Sequence, residues 1–129
     1  MLRGGILNPA INSLLSRVRH TNTLVIADRG FPFWPEIETV DISLVDDIPR
    51  VIDVFRAIHD NFSIGRIYAA EEFLSENTPV VTDELDAAIL GIPITFEPHA
   101  EFKRRVPRAI GLIRTGDTTQ FSNLIIESA

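Results

Sequence analysis

The chemistry open to this chain is narrow. It carries three histidines, eighteen aspartate and glutamate side chains, and no cysteine. Without a thiol there is no disulfide, no thiolate nucleophile and no cysteine-ligated metal. Imidazoles and carboxylates remain, and together they suit proton transfer. Histidine ordinarily titrates at about 6.5, which is where a general acid–base group works best near neutral pH. His20 and Asp28 are the leading candidates. His20 stands in a polar junction between a predicted helix and a predicted strand, and Asp28 follows that strand. His99 falls in the first turn of a short helix after Pro98. His59 lies late in an amphipathic helix beside Asp60 and Asn61, where the helix dipole gives it a structural role.

Other chemistries find no support. No HxH or HExxH spacing occurs, so no metal site is expected. No GxxxxGK[ST] or GxGxxG loop is present to cradle phosphates, and no GxSxG to carry a nucleophilic serine. The formal charge of −6 argues against nucleic acid as a partner. The one basic cluster, Lys103-Arg104-Arg105 with Arg108 nearby, reads as a solvated helix end. No apolar run approaches the roughly 18–20 residues that span a bilayer, and Met1–Leu7 is too short and glycine-rich for a signal peptide. A cytoplasmic protein without membrane contact is expected, and in it the Asn61-Phe62-Ser63 sequon is a chance match.

The elements that must position these groups are marked by punctuation and period. Asn8 and Pro9 open a helix whose apolar stripe is Ala10, Ile11, Leu14, Leu15 and Val18. Thr23–Ala27 is a short buried strand, and Arg29–Pro35 a loop with the aromatics Phe31, Phe33 and Trp34. Val40–Leu44 reads as a strand, and Pro49 opens a helix with Val51, Ile52, Val54, Phe55 and Ile58 on one face. Arg66–Ala70 is a strand. Thr82 caps a helix that Gly91 ends, Pro93–Phe96 is a strand, and Pro98 opens a helix to about Arg105. Ala109–Ile113 and Phe121–Ile126 are the last strands, joined by a turn around Gly116. Strands alternating with helices over 129 residues predict one three-layer α/β domain, residues 1–129, with a mostly parallel sheet flanked by helices. Ligands bind such sheets outside the carboxyl ends of the strands, where Asp28, Glu71 or Glu72, and Arg114 fall.

This geometry constrains the leading pair. A strand rises about 3.3 Å per residue, so His20 and Asp28, at opposite ends of one strand, stand roughly 20 Å or more apart. If both serve one site, a neighbouring subunit must bring one to the other.

An ordered set of local patterns spans nearly the whole chain. It runs Gly5-Ile6-Leu7-Asn8, His20-Thr21, Val25-Ile26-Ala27-Asp28, Gly30-Phe31-Pro32 and Asp41-Ile42-Ser43-Leu44. It continues with His99-Ala100-Glu101-Phe102-Lys103, Ile113-Arg114-Thr115-Gly116 and Phe121-Ser122-Asn123. In order and spacing this resembles the RbsD/FucU family of D-ribose pyranases and L-fucose mutarotases. The resemblance implies an isomerase that interconverts ring forms of a free monosaccharide without a cofactor. It implies His20 as the acid–base group, Asp28 and His99 as sugar ligands, and a segment matching Phe121, Ser122 and Asn123 that completes the site. It also implies a ring-shaped homo-oligomer, typically a decamer, with sites shared between subunits, which would answer the distance between His20 and Asp28.

Ring-form exchange requires a base to remove the proton of the anomeric hydroxyl and an acid to protonate the ring oxygen, and then the reverse at another hydroxyl or face. One departure bears on it. The family's tyrosine is Phe121 here, and a phenyl ring neither donates nor accepts the hydrogen bond a phenol would, worth about 1 kcal/mol. A catalytically weakened or inactive sugar-binding homologue, serving as a sensor or assembly subunit, is therefore the alternative.

Overall fold

The computed structural model describes all 129 residues. The first helix, α1 (Pro9–Arg17), starts as its sequence dictates: Asn8 accepts from the Ile11 amide at 3.0 Å and Pro9 takes the first helical position. It buries Ile11 and Leu14. Then follow β1 (Thr23–Ala27), β2 (Glu38–Asp41), α2 (Val51–His59), β3 (Ile64–Ala70), α3 (Glu71–Glu76), α4 (Pro79–Ile89), β4 (Ile94–Glu97), α5 (His99–Arg105), β5 (Gly111–Arg114) and β6 (Leu124–Ser128). No helix is long and apolar enough to cross a membrane.

All strands join one sheet in the order β2-β5-β1-β6-β3-β4. β1 pairs in parallel with β5, β5 with β2, and β3 with β4, whereas β6 runs antiparallel to both β1 and β3. The carboxyl ends of five strands and the amino end of β6 therefore share one edge. Side chains alternate across the sheet. Leu24 and Ile26 of β1 face a core built with α1, α2, α3 and α4, while Val25 and Ala27 face a smaller core built with Phe102 of α5, Val106 and Phe31. The result is the expected three-layer arrangement with a mostly parallel sheet.

Several boundaries differ from the sequence reading, each for a local reason. α4 begins at Pro79, with Thr78 as the residue before it, because proline suits the first helical position; Thr82 sits inside the helix and bonds back to the Pro79 carbonyl. α3 carries no sequence signal: Glu71–Glu76 is less than two helical turns with only Phe73 buried, too little for a period to register. β2 ends at Asp41 because that carboxylate turns back to accept from the Ser43 amide and hydroxyl. β6 begins at Leu124, since Phe121 adopts the left-handed region at φ 54° and breaks the extended run. β5 and β6 are not a hairpin, because β1 lies between them. The basic cluster is only partly solvated. Arg105 pairs with Glu97 through two hydrogen bonds and lies over the Tyr68 ring, 3.8 Å from its centroid.

Candidate active site

The antiparallel pairing of β1 with β6 puts the end of one beside the start of the other. Asp28, just past β1, thus meets Asn123, just before β6. The Asp28 amide donates to Asn123 Oδ1 at 2.7 Å, between residues 95 positions apart. Asn123 is almost fully buried, so this bond satisfies a group that water does not reach. The Asp28 carboxylate accepts from the Gly30 amide at 3.0 Å, closing a tight turn.

His99 arrives from the other half of the sheet. It is the first residue of α5, and its amide donates to both carboxylate oxygens of Glu72, at 3.0 and 3.1 Å. Its imidazole is enclosed by rings. Phe102 stacks on it at 5.9 Å, Phe31 meets it edge-on at 6.0 Å and Phe121 edge-on at 5.0 Å. Its Nε2 is buried and has no partner within the chain.

Asp28, Phe31, His99, Gln120, Phe121 and Asn123 line one open cleft of about 230 Å³. The structure thus brings together four of the residues singled out in the sequence, Asp28, His99, Phe121 and Asn123. It does not bring in Ser122. That side chain is buried on the other side of the chain, its Oγ unpartnered, and it lines a separate narrow pocket with Arg50, Glu84 and Asp117. Nor does it bring in His20. The histidine is exposed in the turn before β1, at the opposite edge of the sheet, with the length of β1 between it and Asp28.

The electrostatics follow from burial. Desolvation pushes the Asp28 carboxyl above the usual carboxylate range; the Gly30 amide, the Asn123 side chain and the Phe31 amide pull it back, and the charge of Asp117 pushes it up again. Desolvation also holds the His99 imidazole below its usual value, aided by the positive Lys103 one helical turn on and opposed by Glu72. His99 is thus a neutral imidazole at pH 7, able to donate at one ring nitrogen and accept at the other. No group of three His, Asp or Glu side chains is placed to hold a metal ion.

Sequence reasoning passed over some contributors. Gln120 gave no signal, being a polar residue in a turn. Lys103 was legible in principle, because i,i+4 spacing puts it on the face of His99. Of the three loop aromatics, Phe31 is both core and cleft wall and Trp34 is half-buried, while Phe33 alone is exposed, at 70%.

The fold is thus an open, mostly parallel sheet with a small polar and aromatic cleft at its carboxyl edge, where sheets of this class bind their ligands. The chain belongs to the RbsD / FucU transport protein family, whose model matches residues 1–129. It is 39% identical over 128 residues to the D-ribose pyranase of Geobacillus kaustophilus, covering 99% of this chain and 93% of that protein. It is 38% identical to the D-ribose pyranase of Geobacillus thermodenitrificans, over 99% of this chain and 96% of that one. Among solved structures, Bacillus subtilis RbsD complexed with D-ribose superimposes with a TM-score of 0.93 at 29% identity, covering 100% of this chain and 98% of that one. The fucose mutarotase of Streptococcus pneumoniae in complex with L-fucose matches the fold at a TM-score of 0.84 and 17% identity, over 99% of this chain and 98% of that one.

Proposed function

We propose that residues 1–129 form one isomerase domain that interconverts the ring forms of a free monosaccharide such as ribose or fucose, by acid–base catalysis and without a cofactor. One observation carries this reading. A carboxylate, a neutral imidazole and a buried carboxamide converge on a cleft the size of a small sugar, in a chain whose fold overlays the ribose-bound RbsD over its whole length. Asp28 accepts from sugar hydroxyls. Asn123 spends its oxygen on the Asp28 amide and keeps its NH2 beside the Asp28 carboxylate. His99 adds a donor or acceptor from its aromatic enclosure, and the Phe121 ring offers a wall for the sugar's C–H face.

The proton shuttle is His20 of a neighbouring copy. It takes the anomeric proton and returns one to the ring oxygen, opening the hemiacetal; closure on another hydroxyl or the other face reverses both transfers. A ring of copies, a homodecamer in the cytoplasm, sets the amino edge of one sheet against the carboxyl edge of the next. Exposed Leu7, Leu44, Val45 and Ile48 are apolar surface that such a neighbour would cover. Ser122, turned from the cleft with its Oγ unpartnered, does not meet the sugar through its side chain.

Saturation-transfer NMR of ribose, fucose and related free sugars tests the reading. Exchange well above buffer is expected, and His20→Ala should abolish it. A panel with no acceleration, or a His20→Ala protein as fast as the wild type, would sink it. Phe121 favours a second reading: its ring is engaged on His99 and offers no hydroxyl. In that case calorimetry would find sugar bound with no accelerated exchange, whereas a gain of exchange in Phe121→Tyr would show a weakened enzyme instead.

A further inference from the structure

Arg114 closes β5 next to the end of β1, and its guanidinium is aimed at main chain rather than at a carboxylate. Nη1 donates to the carbonyls of Asp28, at 3.2 Å, and Arg29, at 3.3 Å; Nη2 donates to the carbonyl of Pro32, at 3.2 Å. The next residue extends the clamp, since the Thr115 amide and hydroxyl both reach the Ala27 carbonyl, at 2.9 and 2.8 Å. Two consecutive residues thus hold the carbonyls of residues 27, 28, 29 and 32.

That turn supplies much of the cleft, and its 29–32 carbonyl side is held by Arg114. Of residues 28–32 only Phe31 is buried; Arg29, Gly30 and Pro32 are exposed. The other ties are the Asp28 amide to Asn123 Oδ1, the Gly30 and Phe31 amides to the Asp28 carboxylate, the Arg29 amide to the Asp117 carbonyl, and the exposed Arg29–Asp46 ion pair; none of them reaches the carbonyls that Arg114 holds. A planar fork with donors on separate nitrogens can reach carbonyls on both sides of a turn, which the single ammonium of a lysine cannot reproduce. Arg114 itself does not line the cleft.

We propose that Arg114 is a positioning residue: it clamps the 28–32 turn through its carbonyls and so fixes the Asp28 carboxylate and the Phe31 ring against His99 and Asn123. This rests on the mutarotase reading above. Displacing a binding group by about 1 Å can cost on the order of 100-fold in rate. The loss therefore belongs mainly to kcat, where alignment matters, with a smaller effect on KM.

The test compares wild type, Arg114→Met, Arg114→Lys and Arg114→Ala in the full chain. Saturation-transfer exchange of ribose or fucose, whichever the wild type turns over, should fall at least tenfold in Arg114→Met, chiefly in kcat, with Arg114→Lys between. Guanidinium ion at millimolar concentration should restore part of the Arg114→Ala rate, and methylammonium should not. Amide hydrogen exchange of Arg29, Gly30, Phe31 and Phe33 should quicken in Arg114→Met while β1 amides and Tm hold. If the wild type exchanges sugar and Arg114→Met matches it, the clamp is refuted. If β1 opens and Tm falls along with the turn, and guanidinium rescues nothing, Arg114 is a general structural residue and the proposal also fails. Should the wild type exchange no sugar, the functional reading falls separately. The amide protection of Arg29, Gly30, Phe31 and Phe33 then decides the clamp alone, and unchanged protection in Arg114→Met overturns it.

Discussion

The Asp28 amide and the Asn123 side chain are joined by a 2.7 Å hydrogen bond that ties the end of β1 to the start of β6. Through it a cleft assembled from distant segments keeps one geometry. Asn123→Ala strands a part-buried amide, at a cost of about 1–3 kcal/mol. Denaturant unfolding should show a loss in that range, and sugar affinity by calorimetry should weaken with it. A variant as stable as the wild type would mean that water replaces the carboxamide.

Stability should respond to pH through His99. Its folded-state pKa lies below the ordinary imidazole value because of burial, so between the two values the unfolded chain binds more protons. Stability then rises with pH across that window. The contribution is complete above about pH 6.5, the ordinary imidazole pKa, and is lost as pH falls toward the depressed folded value. Chemical denaturation at pH 7.5 and 5.5 should show wild type losing stability relative to His99→Gln at the lower pH. A constant difference would refute the assignment.

Gly116 is irreplaceable for a steric reason. A Cβ there would lie 2.2 Å from the Val45 carbonyl oxygen and 3.1 Å from that of Ile48. Both are backbone atoms, so the 45–48 segment must move. Gly116→Ala should destabilise by roughly 1–3 kcal/mol, read as a lower Tm. Because the Gly116 carbonyl accepts from the Asp47 amide, faster amide exchange at Asp47 should accompany it.

The proposed sharing of sites between copies predicts complementation. His20→Ala and Asp28→Asn proteins should each be inactive alone. Unfolded together and refolded at equal ratio, they should recover about a quarter of the wild-type rate, the fraction of sites that draw both intact residues from a random ring. No recovery in mixed assemblies would place both groups in one copy's site, against the distance along β1.

Asp28→Asn should separate binding chemistry from folding. Asparagine keeps an acceptor for the Gly30 amide and removes a partly desolvated charge. Unfolding free energy at pH 7 should therefore stay within about 1 kcal/mol of wild type, while sugar affinity falls. Stability loss well beyond that would make Asp28 a folding residue first.

Much of this protein could be read from local signals. Asn8-Pro9, Pro49 and Pro98 mark helix starts, the short unbroken apolar run in Thr23–Ala27 marks a strand buried on both faces, and the ordered motifs mark a family. These features are legible because capping, proline geometry and side-chain period act over a few residues. The same signals placed Asp28 and His99 at element ends, where ligands bind. They also showed that His20 and Asp28 sit at opposite ends of one strand.

Which residues meet was decided only by the tertiary structure. Sheet order puts β6 between β1 and β3, so Asn123 reaches Asp28, and the packing of α5 brings His99 against Phe31 and Phe121. It also turns Ser122 away from its neighbours Phe121 and Asn123, and makes Arg114 a clamp on a turn more than eighty positions earlier. The reason is physical. Period and caps specify which face of an element is apolar and where it stops, whereas strand order and side-chain enclosure depend on the whole core packing at once.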